Sequence, residues 1–168
     1  QLLSLRGLGK IFPDSTQALN NFTLDIAPRE FVSLVGPSGC GKSTILRLAA
    51  GLLVPSTGEC VVNTTKVGFV FQDSTFLPWR NVRDNIELLI ELDNIDPAER
   101  TKRVSEIIQL VDLVGSERKY PRQLSGGMKM RTSLARLLVT NPDLFLFDEP
   151  FSALDEFTRE RLNDELLA

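Results

Sequence analysis

The residues Gly36-Pro37-Ser38-Gly39-Cys40-Gly41-Lys42-Ser43-Thr44 satisfy the pattern G-x-x-x-x-G-K-[ST], the spacing of a loop that wraps phosphate groups. Glycines let such a loop turn its backbone N–H groups into one concavity, and a helix behind it adds partial positive charge. Lys42 is expected to reach the β- and γ-phosphates of a nucleotide, and the Ser43 hydroxyl to ligate Mg²⁺. A second pair, Asp148-Glu149, follows the apolar run Leu144-Phe145-Leu146-Phe147. Asp148 suits a hold on Mg²⁺, while Glu149 suits orientation and deprotonation of an attacking water. Gln72 ends another apolar run, and its amide suits the metal or the water. The bland alternatives are a glycine turn before a helix, a solvated acidic strand end and an ordinary surface glutamine.

A further segment, Leu124-Ser125-Gly126-Gly127-Met128, offers a serine cap and two small residues at a helix start, so it can present N–H groups to a second anionic ligand. From Lys42 to Ser125 is 125 − 42 = 83 residues across a helical region. The segment therefore need not touch the nucleotide held by its own chain.

Particular elements must carry these groups. Phe31-Val32-Ser33-Leu34-Val35 reads as a buried strand delivering the loop, and Ile45 to Ala50 as the helix leaving it, closed by Pro55-Ser56-Thr57-Gly58. Strands are expected at 2–6, 22–26, 59–62 and 67–71. Asp96-Pro97-Ala98-Glu99 provides a cap, a proline at the first helical position and an early carboxylate; Val104, Ile107, Ile108 and Val111 mark one face as far as Gly115. Another helix is expected from Gly127 to Asn141-Pro142 with Leu134, Leu137 and Leu138 inward, and a last one after Asp155. The run 144–147 reads as a central parallel strand covered on both faces, whose carboxyl end is where open α/β sheets bind ligands.

With 168 residues and 42% hydrophobic content, the chain suffices for one core. A net charge of −3 supplies no field that attracts nucleic acid, and none is expected as a partner. No apolar stretch approaches the roughly 20 residues of a membrane span. Two cysteines, Cys40 and Cys60, without any histidine make neither a disulfide framework nor a zinc site. A cytoplasmic setting follows as the expectation.

The ordered set Gly36 to Thr44, Gln72, Leu124 to Met128, Leu144 to Glu149 and Ser152-Ala153-Leu154-Asp155 resembles the ATP-binding subunit of ABC transporters over essentially the whole chain. The resemblance implies, in turn, a Walker A loop, a Q-loop, a signature contacting ATP in trans, a Walker B strand with catalytic glutamate, and a D-loop at Asp155. It also implies that Phe12 stacks on adenine. The implied fold is an α/β P-loop NTPase core with a mainly parallel sheet and an antiparallel N-terminal β part. Residues 1–168 then form a single nucleotide-binding domain with a helical subdomain at about 80–140.

Phe76-Leu77-Pro78-Trp79-Arg80, Met128 and the run from Pro150 to Arg159 are similar to the ATPases of nitrate, sulfonate and taurine importers. That likeness implies a homodimer or paired ATPase subunit, and ATP and Mg²⁺ as ligands. It also implies permease subunits docking near Gln72 to Arg80, a solute-binding protein acting indirectly, and a place on the cytoplasmic face of the membrane. Two features depart from the family. Met128 stands where glutamine is common, and no histidine follows Glu149, after which the sequence runs 168 − 149 = 19 residues. A core truncated before its last strands, with weak or absent hydrolysis of its own, is the corresponding expectation. The alternatives are an ABC ATPase unconnected with transport and a module that binds ATP without hydrolysing it.

Overall fold

A computed structural model describes residues 1–71, 75–91, 93 and 95–149. Gln72, Ser152 to Asp155 and the helix expected after them lie outside the described residues. The described chain divides into two compact units, one of Gln1–Phe69 with Asp143–Asp148, the other of Val70–Pro142 with Glu149.

In the first unit, β1 (Leu3–Ile11) lies between β2 (Gln17–Ile26) and β3 (Thr57–Val62), antiparallel to both. β1 and β2 run longer than their apolar runs suggest. The β1–β2 register shifts between Leu5 and Leu8 and again between Leu8 and Lys10, so Gly7 and Gly9 sit at bulges within a strand. Helix α1 (Lys42–Ala49) covers the sheet with Ile45, Leu48 and Ala49, which pack with Leu3, Leu5, Leu8 and Leu19. Each such leucine, fully buried, contributes about 1.5–3 kcal/mol.

The stop of α1 lies earlier than the Pro55–Gly58 stretch. Gly51 takes φ +70 and donates to Leu48 O at 3.0 Å, while Leu52 N donates to Arg47 O at 2.9 Å. These are the two bonds of a Schellman motif, and the left-handed residue it needs is the glycine.

β4 (Val67–Val70) pairs with β5 (Leu144–Phe147). Asp143 N and Leu144 N both donate to Lys66 O, at 2.9 and 3.3 Å, where the two strands begin, so they run parallel. Leu144 and Leu146 join the core, whereas Phe145 is exposed; β5 is covered on one face among the described residues, not on both. The segment 31–35 differs more. It forms no strand: Phe31 is 80% and Val35 93% exposed, and no described strand pairs with it. Apolar composition makes a strand only where a neighbour accepts its backbone hydrogen bonds.

The second unit is helical. It contains α2 (Val82–Glu87), a 3₁₀ turn at Leu88–Ile90, α3 (Pro97–Leu110), another 3₁₀ turn at Pro121–Gln123 and α4 (Gly126–Val139). Asp96 caps α3 as its sequence predicts, accepting from Ala98 N at 2.8 Å and Glu99 N at 3.3 Å. Val104, Ile108 and Val111 are buried with Val82, Ile86, Ile90, Ala135 and Val139, and Ile107 packs at the margin. On α4, Leu137 is buried while Leu134 and Leu138 lie at the margin of the core. No helix among the described residues is long and apolar enough to cross a membrane.

Candidate functional site

The loop 36–41 hands over directly to α1, with Gly41 as the residue before its first turn at φ +99. A Cβ at Gly41 would lie 2.7 Å from Ala18 O and 2.9 Å from Leu19 Cδ2 at the start of β2. Both the torsion and the contact require glycine, so the loop can approach β2 this closely only with this residue. Lys42 Nζ donates to Gly36 O at 2.9 Å and Pro37 O at 3.0 Å, and lies 3.9 Å from Cys40 Sγ. The ammonium is thus curled over its own loop, where two backbone carbonyls accept from it. Phosphate oxygens form the stronger, charge-assisted partners for such a group. Ser38, Gly39, Cys40 and the turn they make are exposed, and Thr44 is half-buried in the first turn of α1.

Ser43 Oγ donates to Asp148 Oδ1 at 2.7 Å. Asp148 is 3% exposed and follows β5 immediately, so the carboxyl end of that strand meets the first turn of α1. A hydroxyl and a carboxylate side by side are hard oxygen donors. Among the described residues no cluster of three His, Cys, Asp or Glu could hold a metal. Mg²⁺ requires no such cage, since it takes one or two carboxylates and fills its octahedron with water and phosphate oxygens. The pair Ser43 and Asp148 fits that donor set.

Phe12 lies in the tight turn from β1 to β2, where Phe12 N donates to Thr16 O and Ser15 N to Phe12 O, both at 2.9 Å. Its ring is half-buried, with Lys10 Nζ 5.6 Å from the centroid. The turn leads to Ala18 and Leu19, the residues that Gly41 packs against, so Phe12 and the loop 36–41 share one region of the first unit.

Two further groups belong to the second unit. Ser125 caps α4 with Oγ accepting from Met128 N at 3.3 Å. Ser125 and Gly126 are exposed and Gly127 half-buried, at the end where first-turn N–H groups lack helical acceptors. Glu149 is exposed and adopts φ +47, uncommon for a side chain of its size. Gln72 and Asp155 lie outside the described residues.

Sequence reading overlooks two residues in the second unit. Asn85, 1% exposed, accepts from Leu77 N at 2.9 Å, and its Nδ2 faces Leu77 O, Arg80 O and Asn81 O at 2.9–3.1 Å. The signal was a polar residue on the same helix face as Val82 and Ile86. Arg136 donates from Nη1 to Thr75 O at 2.7 Å, and burial pulls its pKa below the ordinary arginine value while leaving it cationic. Nothing in the local sequence distinguishes Arg136 from a solvated helix arginine.

The family model of the ABC transporter matches residues 19–152, and the chain belongs to that family. It is 47% identical over 156 residues to the aliphatic sulfonates import ATP-binding protein SsuB of Bacillus subtilis (strain 168), covering 89% of this chain and 60% of that protein. It is 40% identical over 174 residues to the taurine import ATP-binding protein TauB of Pseudomonas syringae pv. tomato, covering 99% and 67%. Among solved structures, a dimeric ATP-binding cassette in a post-hydrolysis state, bound to ADP and Pi, aligns with TM-score 0.85 at 34% identity, covering 98% of this chain and 81% of that one. The chain thus spans about three fifths to two thirds of the length of these curated relatives.

Proposed function

We propose that the chain is the nucleotide-binding core of an import ATPase, which binds MgATP and hydrolyses it to drive uptake of a small sulfonate-, taurine- or nitrate-like solute. The observation that carries the reading is the Ser43–Asp148 hydrogen bond, which brings a phosphate-loop hydroxyl and a strand-end carboxylate to one point. The roles of the relatives in aliphatic sulfonate and taurine import support the solute class.

On this reading Lys42 leaves Gly36 O and Pro37 O for the β- and γ-phosphates, and N–H groups of Gly39, Cys40 and Gly41 line the rest of the cradle with Ser38 and Thr44. Phe12 stacks on the adenine. Ser43 and Asp148 hold Mg²⁺, with Gln72 completing the set; the ion, when bound, neutralises charge on the transferred phosphoryl group. Glu149 orients a water in line with the γ-phosphorus and accepts its proton as the new P–O bond forms and the bond to the β-phosphate oxygen breaks, giving ADP and phosphate.

Two ATPase subunits face each other, each nucleotide lying between the loop 36–44 of one copy and Ser125, Gly126 and Gly127 of the other, with Asp155 at the junction. The two units act as one nucleotide-binding domain whose helical subdomain is about 80–140. Permease subunits dock near Gln72 to Arg80, which keeps the ATPase peripheral on the cytoplasmic face, with a solute-binding protein acting through them. Equilibrium binding of labelled ATP to the full-length protein tests the reading. Lys42→Ala removes a charge-assisted contact, so affinity should fall at least about tenfold; unchanged affinity would remove the loop from nucleotide binding.

A further inference from the structure

The stretch 75–81 is fastened at both ends to helices of its own unit. On one side, Asn85 of α2 holds the backbone of Leu77, Arg80 and Asn81. On the other, Arg136 of α4 donates to Thr75 O at 2.7 Å and sets its guanidinium 5.7 Å from the Phe76 ring centroid, within the range of a cation–π contact. Arg136 Nε is buried with no acceptor among the described residues, so the inner edge of the guanidinium is desolvated while the bond from Nη1 to Thr75 O lies at the surface. Trp79, between the Leu77 and Arg80 that Asn85 holds, is 70% exposed.

Arg136 stands 136 − 125 = 11 residues after the α4 cap, Ser125, which places the two roughly 16 Å apart along one helix. A helix of 14 residues is stiff over that length. We infer that Arg136 is a positioning residue that ties the loop 75–80 to α4, so that a displacement imposed at Trp79 moves Ser125, Gly126 and Gly127. The inference rests on the reading that a membrane subunit docks on that loop. Neither charge nor bulk alone reproduces the link. Lysine lacks the planar face and second donor edge, and methionine lacks the donor altogether.

The test compares the full-length ATPase free in solution and assembled with its membrane subunits in nanodiscs, as wild type, Arg136→Lys and Arg136→Met. Both variants should co-purify with the membrane subunits and keep KM for ATP and kcat within about twofold when free, while the stimulation on assembly falls at least about fivefold. Two variants of different chemistry guard against a folding defect in one. Stimulation equal to wild type in either folded variant overturns the inference, as does a free-subunit rate that falls as far as the assembled rate, the mark of a merely structural residue. Wild-type protein that neither assembles nor is stimulated overturns the docking reading itself, and the inference with it.

Discussion

The Ser43 hydroxyl donates to the buried Asp148 carboxylate at 2.7 Å, joining the first turn of α1 to the end of β5 across 105 residues. Neither residue has the other as a local neighbour, so the pair forms only when β5 is in register beside the elements that carry α1. The bond is therefore a packing constraint, and on the proposed reading it also brings the two Mg²⁺ ligands together.

Separate substitutions distinguish those two roles in the full-length protein. Ser43→Ala leaves Asp148 without its donor in a buried position and should cost about 1.5–3 kcal/mol, read from urea unfolding. Asp148→Asn retains an oxygen that accepts from Ser43, so its unfolding midpoint should move much less, while MgATP hydrolysis falls on the order of a hundredfold as the carboxylate charge is lost. A Ser43→Ala midpoint equal to wild type would show that the bond contributes nothing to stability.

Asn85 should prove to be a stability residue. Replacing it with alanine removes the acceptor of Leu77 N and the side-chain donor facing Arg80 O, while Leu77 O and Asn81 O keep Arg80 N and Asn85 N, at a cost of about 1–3 kcal/mol. Urea denaturation followed by helix signal reads the loss directly. Trp79 fluorescence offers a local probe of the same loop, and an unshifted midpoint with unshifted emission would mean that Asn85 does not hold it.

The glycine loop 36–41 and the helix that follows it were legible because their signals are local: nine consecutive residues specify the turn, the lysine and the hydroxyl. The Asp96 cap of α3 was legible for the same reason. Where reading failed, the missing information was a neighbour. Gly7 and Gly9 look like strand breakers, yet β1 continues through them because β2 and β3 supply partners on both sides and the glycines become bulges. Phe31 to Val35 fails in the opposite direction, a strand by composition with no described strand beside it. Gly51 was masked as a helix stop by the apolar Leu52-Leu53-Val54 that follows it. Asn85 acts on backbone groups within 8 residues, and its signal, a polar residue on the apolar face of α2, was there to be read; Arg136 acts on a carbonyl 61 residues away, which no local window of sequence contains.

The central claim is that Glu149 accepts the proton of the water that attacks loop-bound ATP, and Glu149→Gln in the full-length protein tests it most directly. The substitution keeps size and polarity but removes the base. Labelled-ATP affinity should stay within about twofold of wild type, phosphate release should fall on the order of a hundredfold, and an ATP-dependent dimer should accumulate on size-exclusion chromatography. A variant that releases phosphate at the parental rate, or that never dimerises with MgATP, would contradict the account.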